Sequence, residues 1–286
     1  MSRLLSAGFA RMFKSRLFWL LMGIMLLLGV AVPANDYRNI VRAAANGHAI
    51  ELNLGDVFFQ YAPVIGFASA IFTGLFLGEE YNSGAIRNKL IVGHRRKDIY
   101  LSGLVLSVCA AAAMCLAYIV ACCAVGLPLL GGFKGVGAGV VISMVLCTLL
   151  MACAFGAIFT LAAMLCQSKS GTAVICLVLM MVMLFAGTFI QSRLSEPEFY
   201  SGYAMYDTET GQMIFQEEPE PNHMYVSGTT RIVLEFLDRF LPFGQAIQYS
   251  NMEAGDPLWE MPLYSLIIIA ATTGAGVVLF KKKDIK

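Results

Sequence analysis

Residues that could do acid–base, nucleophilic or metal chemistry are sparse in this 286-residue chain and poorly spaced for it. The three histidines, His48, His94 and His223, fall in three separate polar segments, and none belongs to an H-E-x-x-H zinc pair. No G-x-S-x-G turn offers an activated serine, and no G-x-x-x-x-G-K-[ST] loop offers its backbone amides to a nucleotide's phosphates. The eight cysteines, Cys109, Cys115, Cys122, Cys123, Cys147, Cys153, Cys166 and Cys176, lie in or at the ends of apolar runs, and none is spaced C-x-x-C. That pattern argues against zinc ligation and against a disulfide framework. Small apolar residues in packed helices are the plainer reading. The chain is therefore expected to be no enzyme, with no catalytic residue, no metal and no cofactor bound by itself.

Polar chemistry concentrates instead in one stretch, Gly78 to Tyr100, which holds Glu79 and Glu80 and then Arg87, Lys89, Arg95, Arg96 and Lys97. The stretch is too long for a tight turn and too charged for lipid. Asn82 or Ser83 can cap a short helix, Ile86, Leu90 and Ile91 share one face of it, and Gly93 would stop it. Arg95, Arg96 and Lys97 would then meet a membrane surface. On these residues alone two readings stand level: a positively charged loop with a surface helix, or a docking helix for a soluble protein.

A set of apolar runs positions that stretch. Hydrophobic residues make up 58% of the chain and charged residues 14%, and the mean hydropathy is +0.71. A soluble fold of this length could not bury so much apolar surface and still clothe itself in polar groups. There is also no basic–aromatic surface to suggest nucleic acid. Six segments reach the length of about 20 residues that crosses a hydrocarbon core. They run over Leu17–Ala34, Val57–Gly78, Ile99–Val125, Val136–Cys166, Gly171–Gln191 and Leu258–Phe280. Pro63 and Pro128 are expected to perturb helices locally, Pro128 at a span end. The pattern predicts an all-α integral membrane protein, a six-helix transmembrane bundle forming a single domain over 1–286. An interfacial helix covers 1–16, a cytoplasmic loop 79–98 and an extracellular segment 192–257.

Charge orients the bundle. With the N-terminus inside, that side collects Arg3, Arg11, Lys14, Arg16, Arg87, Lys89, Arg95, Arg96, Lys97, Lys169, Lys281, Lys282, Lys283 and Lys286, which are 14 of the 20 Lys and Arg. It holds only Glu79, Glu80, Asp98 and Asp284 of the 19 acids, so the balance is +10 inside and −9 outside. The basic asymmetry predicts both termini in the cytoplasm. At the start, Leu5, Phe9, Met12 and Phe13 oppose Arg3, Arg11 and Lys14, which predicts a helix lying on the inner leaflet. The basic start and Val32-Pro33-Ala34 also resemble a signal peptide with its cleavage site. The long patterned region before the apolar run favours a retained span.

On the outside, a polar half runs through Asn222 with a hairpin suggested around Thr210-Gly211. A helix over Arg231–Leu241 follows. Val233, Leu234, Phe236, Leu237, Phe240 and Leu241 are expected on one broad face, Glu235, Asp238 and Arg239 on the other, and Pro242 and Gly244 are expected to end it. Such a helix could cap the bundle, rest on the outer leaflet or bind a partner.

Within the spans, Gly66, Ala70, Gly74 and Gly78 recur every four residues, a spacing that lets another helix approach closely. Gly135 with Gly139 and Ala270 with Gly274 repeat it. Packing within the chain and a subunit interface both fit. Ionisable groups are nearly absent at membrane depth, which weakens a proton- or ion-coupled carrier. The polar candidates for a translocation path are Gln60, Ser69, Thr73, Thr188 and Gln191. So few polar groups suit an amphipathic or hydrophobic substrate better than a free ion.

The stretch from Glu80 resembles the intracellular loop of ABC-2-type transporter permeases, the membrane subunits of ATP-binding-cassette exporters. Glu80, Gly84, Ile86, Arg87, Asn88, Leu90, Gly93, Arg96, Ile99 and Tyr100 match its pattern. Ala85, Arg95 and Gly103 depart from it, where Thr, Ser and Lys are common. The likeness continues through the amphipathic start, the six spans, Leu241-Pro-Phe-Gly-Gln245 after an external helix, and the basic tail ending Lys283-Asp284-Ile285. The resemblance implies a coupling helix over about Asn82–Val92. Glu80, Gly84, Ile86, Arg87, Asn88, Leu90, Gly93 and Arg96 would serve contact with a separate cytoplasmic ABC ATPase subunit, which would bind the ATP and Mg. It implies a second permease subunit, identical or different, with a path between the two lined by the second and fifth spans. It also implies a multi-pass protein of the bacterial plasma membrane that moves a peptide, a lipid-like molecule or a drug. Charge or helix-breaking changes at Arg87 or Leu90 are expected to uncouple transport. The competing reading is a membrane receptor or scaffold that binds a ligand through its extracellular segment.

Overall fold

In the computed structural model, residues 1–47, 53–166, 168–200, 204–206, 213–215, 220–252 and 259–283 are described, with backbone alone at 204–206, 213–215 and 220. His48, Thr210, Gly211, Pro257, Leu258, Asp284, Ile285 and Lys286 lie outside the described residues.

The amphipathic start folds as the helix Ser2–Lys14 (α1), whose buried stripe is Leu4, Gly8 and Met12. The predicted face was one position off at its end: Phe13 is 54% exposed. A Cβ at Gly8 would collide with Leu106, so glycine lets α1 lie directly on the third span. Extended backbone at Ser15 turns the chain into Arg16–Ala45 (α2). That helix passes through Pro33 and continues eleven residues beyond Ala34, where the first span was expected to stop. A proline removes one helical hydrogen bond but does not end a helix whose face is packed, and Pro33 is buried beside Gly126.

Asn53 and Asp56 form a reciprocal capping box at the start of Leu54–Phe58 (α3), which leads into Tyr61–Asn82 (α4). Pro63 falls in the first turn of α4 and has no N–H for the Phe59 carbonyl four residues back; the helical run is interrupted there, at Phe59 and Gln60, a local perturbation of the kind expected. The remaining helices are Ala85–Ile91 (α5), Arg96–Leu130 (α6), Ala138–Leu165 (α7), Lys169–Leu194 (α8), Gly228–Phe240 (α9), Pro242–Ser250 (α10) and Glu260–Lys282 (α11). Six helical stretches are long and apolar enough to cross a membrane: α2, α3 with α4, α6, α7, α8 and α11. They make an all-α membrane bundle. Two short antiparallel ladders, Phe199–Tyr200 (β1) with Glu220–Pro221 (β4) and Ala204–Tyr206 (β2) with Met213–Phe215 (β3), lie between α8 and α9. The second ladder flanks the suggested Thr210-Gly211 turn.

The bundle is built around α4. Of its most apolar window 72% is buried, against 28% for α2 and α8 and 22% for α11. The Gly66, Ala70, Gly74 and Gly78 stripe explains the closest of these contacts. Cβ atoms at Gly74 and Gly78 would stand about 3.0 Å from the backbones of Ala173 and Lys169, and one at Gly66 would meet Met180. The stripe is therefore occupied within the chain by α8. Gly135, Gly139 and Gly274 have open space where a Cβ would sit, so that spacing makes no close contact here.

Helix α9 ends at Phe240, just before Pro242 as expected, but the chain turns helical again at once: Pro242 is the first residue of α10, where its fixed φ and missing N–H cost nothing. Gly244 lies inside α10, and a Cβ there would overlap the backbone of Asp238. That close approach is why the two helices can turn on Leu241 alone. The setting of α9, left open by the sequence, has apolar residues turned outward. Asp238 is buried, while Ile232, Val233 and Phe236 are 66%, 49% and 47% exposed. A helix at the rim of a membrane protein meets lipid on its outer side, so its apolar face turns outward and its polar face finds partners in the protein.

Candidate coupling site

At the end of the bundle that carries α5, three elements converge on one carboxylate. Glu80 lies in the last turn of α4 and is 2% exposed. Its Oε1 accepts Lys89 Nζ of α5 at 2.7 Å and faces an Arg11 Nη of α1 at 2.6 Å. The Arg11 guanidinium lies 4.0 Å from the Phe76 ring centre, a cation–π arrangement that holds it in place. The adjacent Glu79 pairs with Lys169 of α8 at 2.5 Å. The Tyr81 hydroxyl donates to the Met164 carbonyl at 2.8 Å, which ties α4 to α7.

The chain leaves α4 through Gly84, whose φ of +68° is the left-handed conformation that glycine adopts freely. Gly84 occupies the N-cap position before α5, in place of the expected Asn82 or Ser83; the Ser83 hydroxyl turns back to the Glu79 carbonyl. Ile86 is 1% exposed and Leu90 half-buried, so this pair anchors α5. Ile91 does not share their face. It is 81% exposed and Val92 is 75% exposed, beside the exposed Arg87 and Asn88. Position 91 lies about 140° around the helix from position 86, so with Ile86 buried, Leu90 half-buried and Lys89 drawn to Glu80 it turns outward. Gly93 ends the helix at φ +91°.

Arg96 opens α6 and turns toward the last span. Its Nη1 donates to the carbonyls of Phe280 at 3.4 Å and Lys281 at 3.5 Å, and also to that of Lys283. A cation on the unpaired carbonyls of a helix C-terminus is favourable, so Arg96 fastens the last span. Tyr100, fully buried, donates to the Thr272 carbonyl at 3.3 Å, and Gly276 makes room for its ring. Of the residues expected at a docking surface, Glu80, Ile86, Leu90 and Arg96 thus turn toward the bundle. Arg87, Asn88 and Gly93 turn outward, and Gly84 makes the bend. The inward use of Glu80 and Arg96 was not readable from type or spacing, because their partners lie on α1 and α11.

The five polar path candidates do not meet within the chain. Ser69 and Thr73 are each 1% exposed on α4, and their hydroxyls have no hydrogen-bond partner. Thr188 is exposed on α8 and donates to the Leu184 carbonyl at 2.9 Å. Gln60 is exposed at the far end of α4 and donates to the Asp56 carbonyl at 3.2 Å. Gln191 is half-buried near the end of α8.

At that far end a network of amides and one ion pair closes the bundle. Gln245 is fully buried in α10. Its amide donates to the carbonyls of Arg239 at 2.8 Å and Met261 at 3.2 Å, and it accepts the Ser265 hydroxyl at 2.7 Å. Gln248 donates to Asp238, and Arg239 pairs with Glu260 at 2.9 Å. Three helices, α9, α10 and α11, are joined there by short side chains. Sequence reading noticed Gln245 but gave it no partner. The eight cysteines are all free thiols, and among the described residues no three His, Cys, Asp or Glu side chains gather as metal ligands.

Comparison with known proteins agrees with this architecture. No curated protein matches the chain. The model of a family described as "ABC-2 family transporter protein" matches residues 4–285, nearly the whole length. Such permeases are the membrane component of a transporter, are not themselves catalytic, and generally work with an ABC ATPase. With six spanning helices packed around α4 and a short helix held out between the second and third spans, the chain belongs to the ABC-2 family of transporter proteins and is a membrane permease.

Proposed function

We propose that the chain is the membrane subunit of an ABC exporter and that α5 docks a separately encoded ATPase subunit, which alone binds ATP and Mg. The observation that carries this reading is the division of α5. Ile86 and Lys89 fix it to the bundle, while Arg87, Asn88, Ile91 and Val92 stand exposed. Two large apolar residues exposed beside a cation, on a helix tied by an ion pair to the central span, make a surface that can both bind and transmit. A push on α5 reaches α4 through Lys89 and Glu80, and α1 through Arg11. The basic asymmetry puts this end and both termini in the cytoplasm. A second permease subunit, identical or different, would complete the path, for which α2, α8 and α11 keep their faces largely uncovered. The scarcity of polar groups on those faces favours an amphipathic or hydrophobic substrate: a peptide, a lipid-like molecule or a drug.

The test is co-purification of the tagged chain in mild detergent, with mass spectrometry of what accompanies it. A stoichiometric soluble ATPase is expected, lost on Arg87→Glu or Ile91→Asp. These exposed positions test docking more cleanly than Leu90, which also packs inward. Retention of the ATPase in both variants would refute the assignment of α5. Recovery of an external ligand with no ATPase would favour a receptor.

A further inference from the structure

At the α5 end a cavity of about 470 Å3 opens between α1, the start of α2, α4 and the first residue of α8. That size falls within the range of about 300–1,000 Å3 usual for small-molecule sites. Its walls differ in chemistry. Leu17, Leu75 and Phe76 make an apolar side, while Arg11, Lys14 and Lys169 make a cationic rim interrupted by Glu79.

Ion pairing does not neutralise this rim. Lys169 meets Glu79, and Glu80 is shared between Arg11 and Lys89. Lys14 is exposed and pairs with no carboxylate among the described residues. The four cations Arg11, Lys14, Lys89 and Lys169 therefore face two carboxylates, a surplus of two positive charges beside an apolar wall. The surroundings also give the cavity a depth. Trp19, two residues after Leu17 of the cavity wall, is 58% exposed, and its indole N–H donates to the Phe13 carbonyl at 2.8 Å. Tryptophan settles at the headgroup level of a bilayer.

We propose that this cavity binds an anionic phospholipid of the leaflet at the α5 end. The phosphate would lie on Lys14 and Lys169 beside Arg11, with an acyl chain along Leu17, Leu75 and Phe76. A soluble anion would answer the rim and leave the apolar wall unused. A zwitterionic lipid would answer the wall and leave the surplus charge. Basic pockets between spanning helices recognise anionic headgroups in this way. Bound lipid would join α1 to α4 and α8 at the place where Glu80 joins α1 to α5, and so would stiffen the end that carries the coupling helix. The proposal stands apart from ATPase docking and from the transported substrate.

The full chain, reconstituted in vesicles of equimolar phosphatidylglycerol and phosphatidylcholine, is extracted in mild detergent and weighed by native mass spectrometry. One phosphatidylglycerol retained per chain is expected, falling about fivefold for each charge removed in Lys14→Gln and Lys169→Gln. Lys97→Gln removes the same charge from an exposed position outside the cavity and is expected to keep the lipid. Equal retention of phosphatidylcholine, or unchanged retention in Lys14→Gln, would overturn the proposal, and so would an equal loss in Lys97→Gln. Since Lys14 holds no described ion pair, its variant decides the matter even if Lys169→Gln fails to fold. Displacement by excess inorganic phosphate would also overturn it, in favour of a site for a soluble anion.

Discussion

The two ends of this bundle are fastened by different chemistry. At the α5 end the joints are ionic and long: Arg11 and Lys89 on Glu80, Lys169 on Glu79, and Arg96 on the carbonyl end of α11. At the other end an amide is central: the Gln245 side chain between two carbonyls and the Ser265 hydroxyl, with Gly244 pressed on Asp238 and a single ion pair, Arg239 with Glu260, beside them. Long charged side chains keep contact while helices shift, and their attraction changes with salt and with an approaching partner. A buried amide in a turn has one geometry, and loses its bonds when that geometry goes. The first arrangement suits the docking end proposed above, the second an end that holds three helices fixed.

The contrast can be broken most severely at Gly244. Gly244→Val would drive a branched side chain into the backbone of Asp238. A loss above about 3 kcal/mol is expected, read as a lowered melting temperature in detergent; an unchanged melting temperature would mean that α9 is free to slide. Glu80→Ala comes next. It leaves Arg11 and Lys89 facing each other, but those side chains are 35% and 23% exposed, so the cost is expected near 2 kcal/mol rather than the larger value of a sealed pair. Its penalty should shrink in high salt, and a penalty independent of salt would contradict the ionic account. Gln245→Ala is expected to cost about 1–2 kcal/mol, because it strips two buried carbonyls and a hydroxyl of their partner. Here salt should make no difference. The smallest effect on stability is expected for Ile91→Asp, within about 0.5 kcal/mol at an exposed site, although the same change should release the ATPase. A large drop in stability there would mean that Ile91 packs against the bundle after all.

Much of the site was legible because short-range rules govern it. Gly93 ends α5 as the only residue type at ease with its backbone, and Ile86 and Leu90, four apart, fall on one side of any helix. The small-residue stripe of α4 announced a close neighbour, though not that α8 would fill it. Ile91 was misplaced because a seven-residue helix takes its rotation from its anchors, here Lys89 on Glu80. The setting of α9 stayed open for a related reason. Amphipathic pattern marks two faces, but which of them turns inward depends on whether the surroundings are water or lipid. Helix α10 escaped notice because proline after a helix looks like a stop, and only the position of Asp238 against Gly244 reveals a tight corner.

Composition and periodicity by themselves determined that this chain crosses a membrane six times, that an amphipathic helix precedes the first span, and that a charged helix lies between the second and third. Those properties follow from transfer energies and helical geometry, which act within twenty residues or so. Tertiary structure alone decided that α4 is the centre, that Glu80 and Arg96 serve the bundle rather than face outward, and that Gln245 locks the far end. Each of these depends on a partner far away in the chain: Arg11 for Glu80, the end of α11 for Arg96, Met261 and Ser265 for Gln245. A carboxylate or an amide has the same local signal whichever partner it finds, and only the packed helices set which one lies within hydrogen-bonding distance.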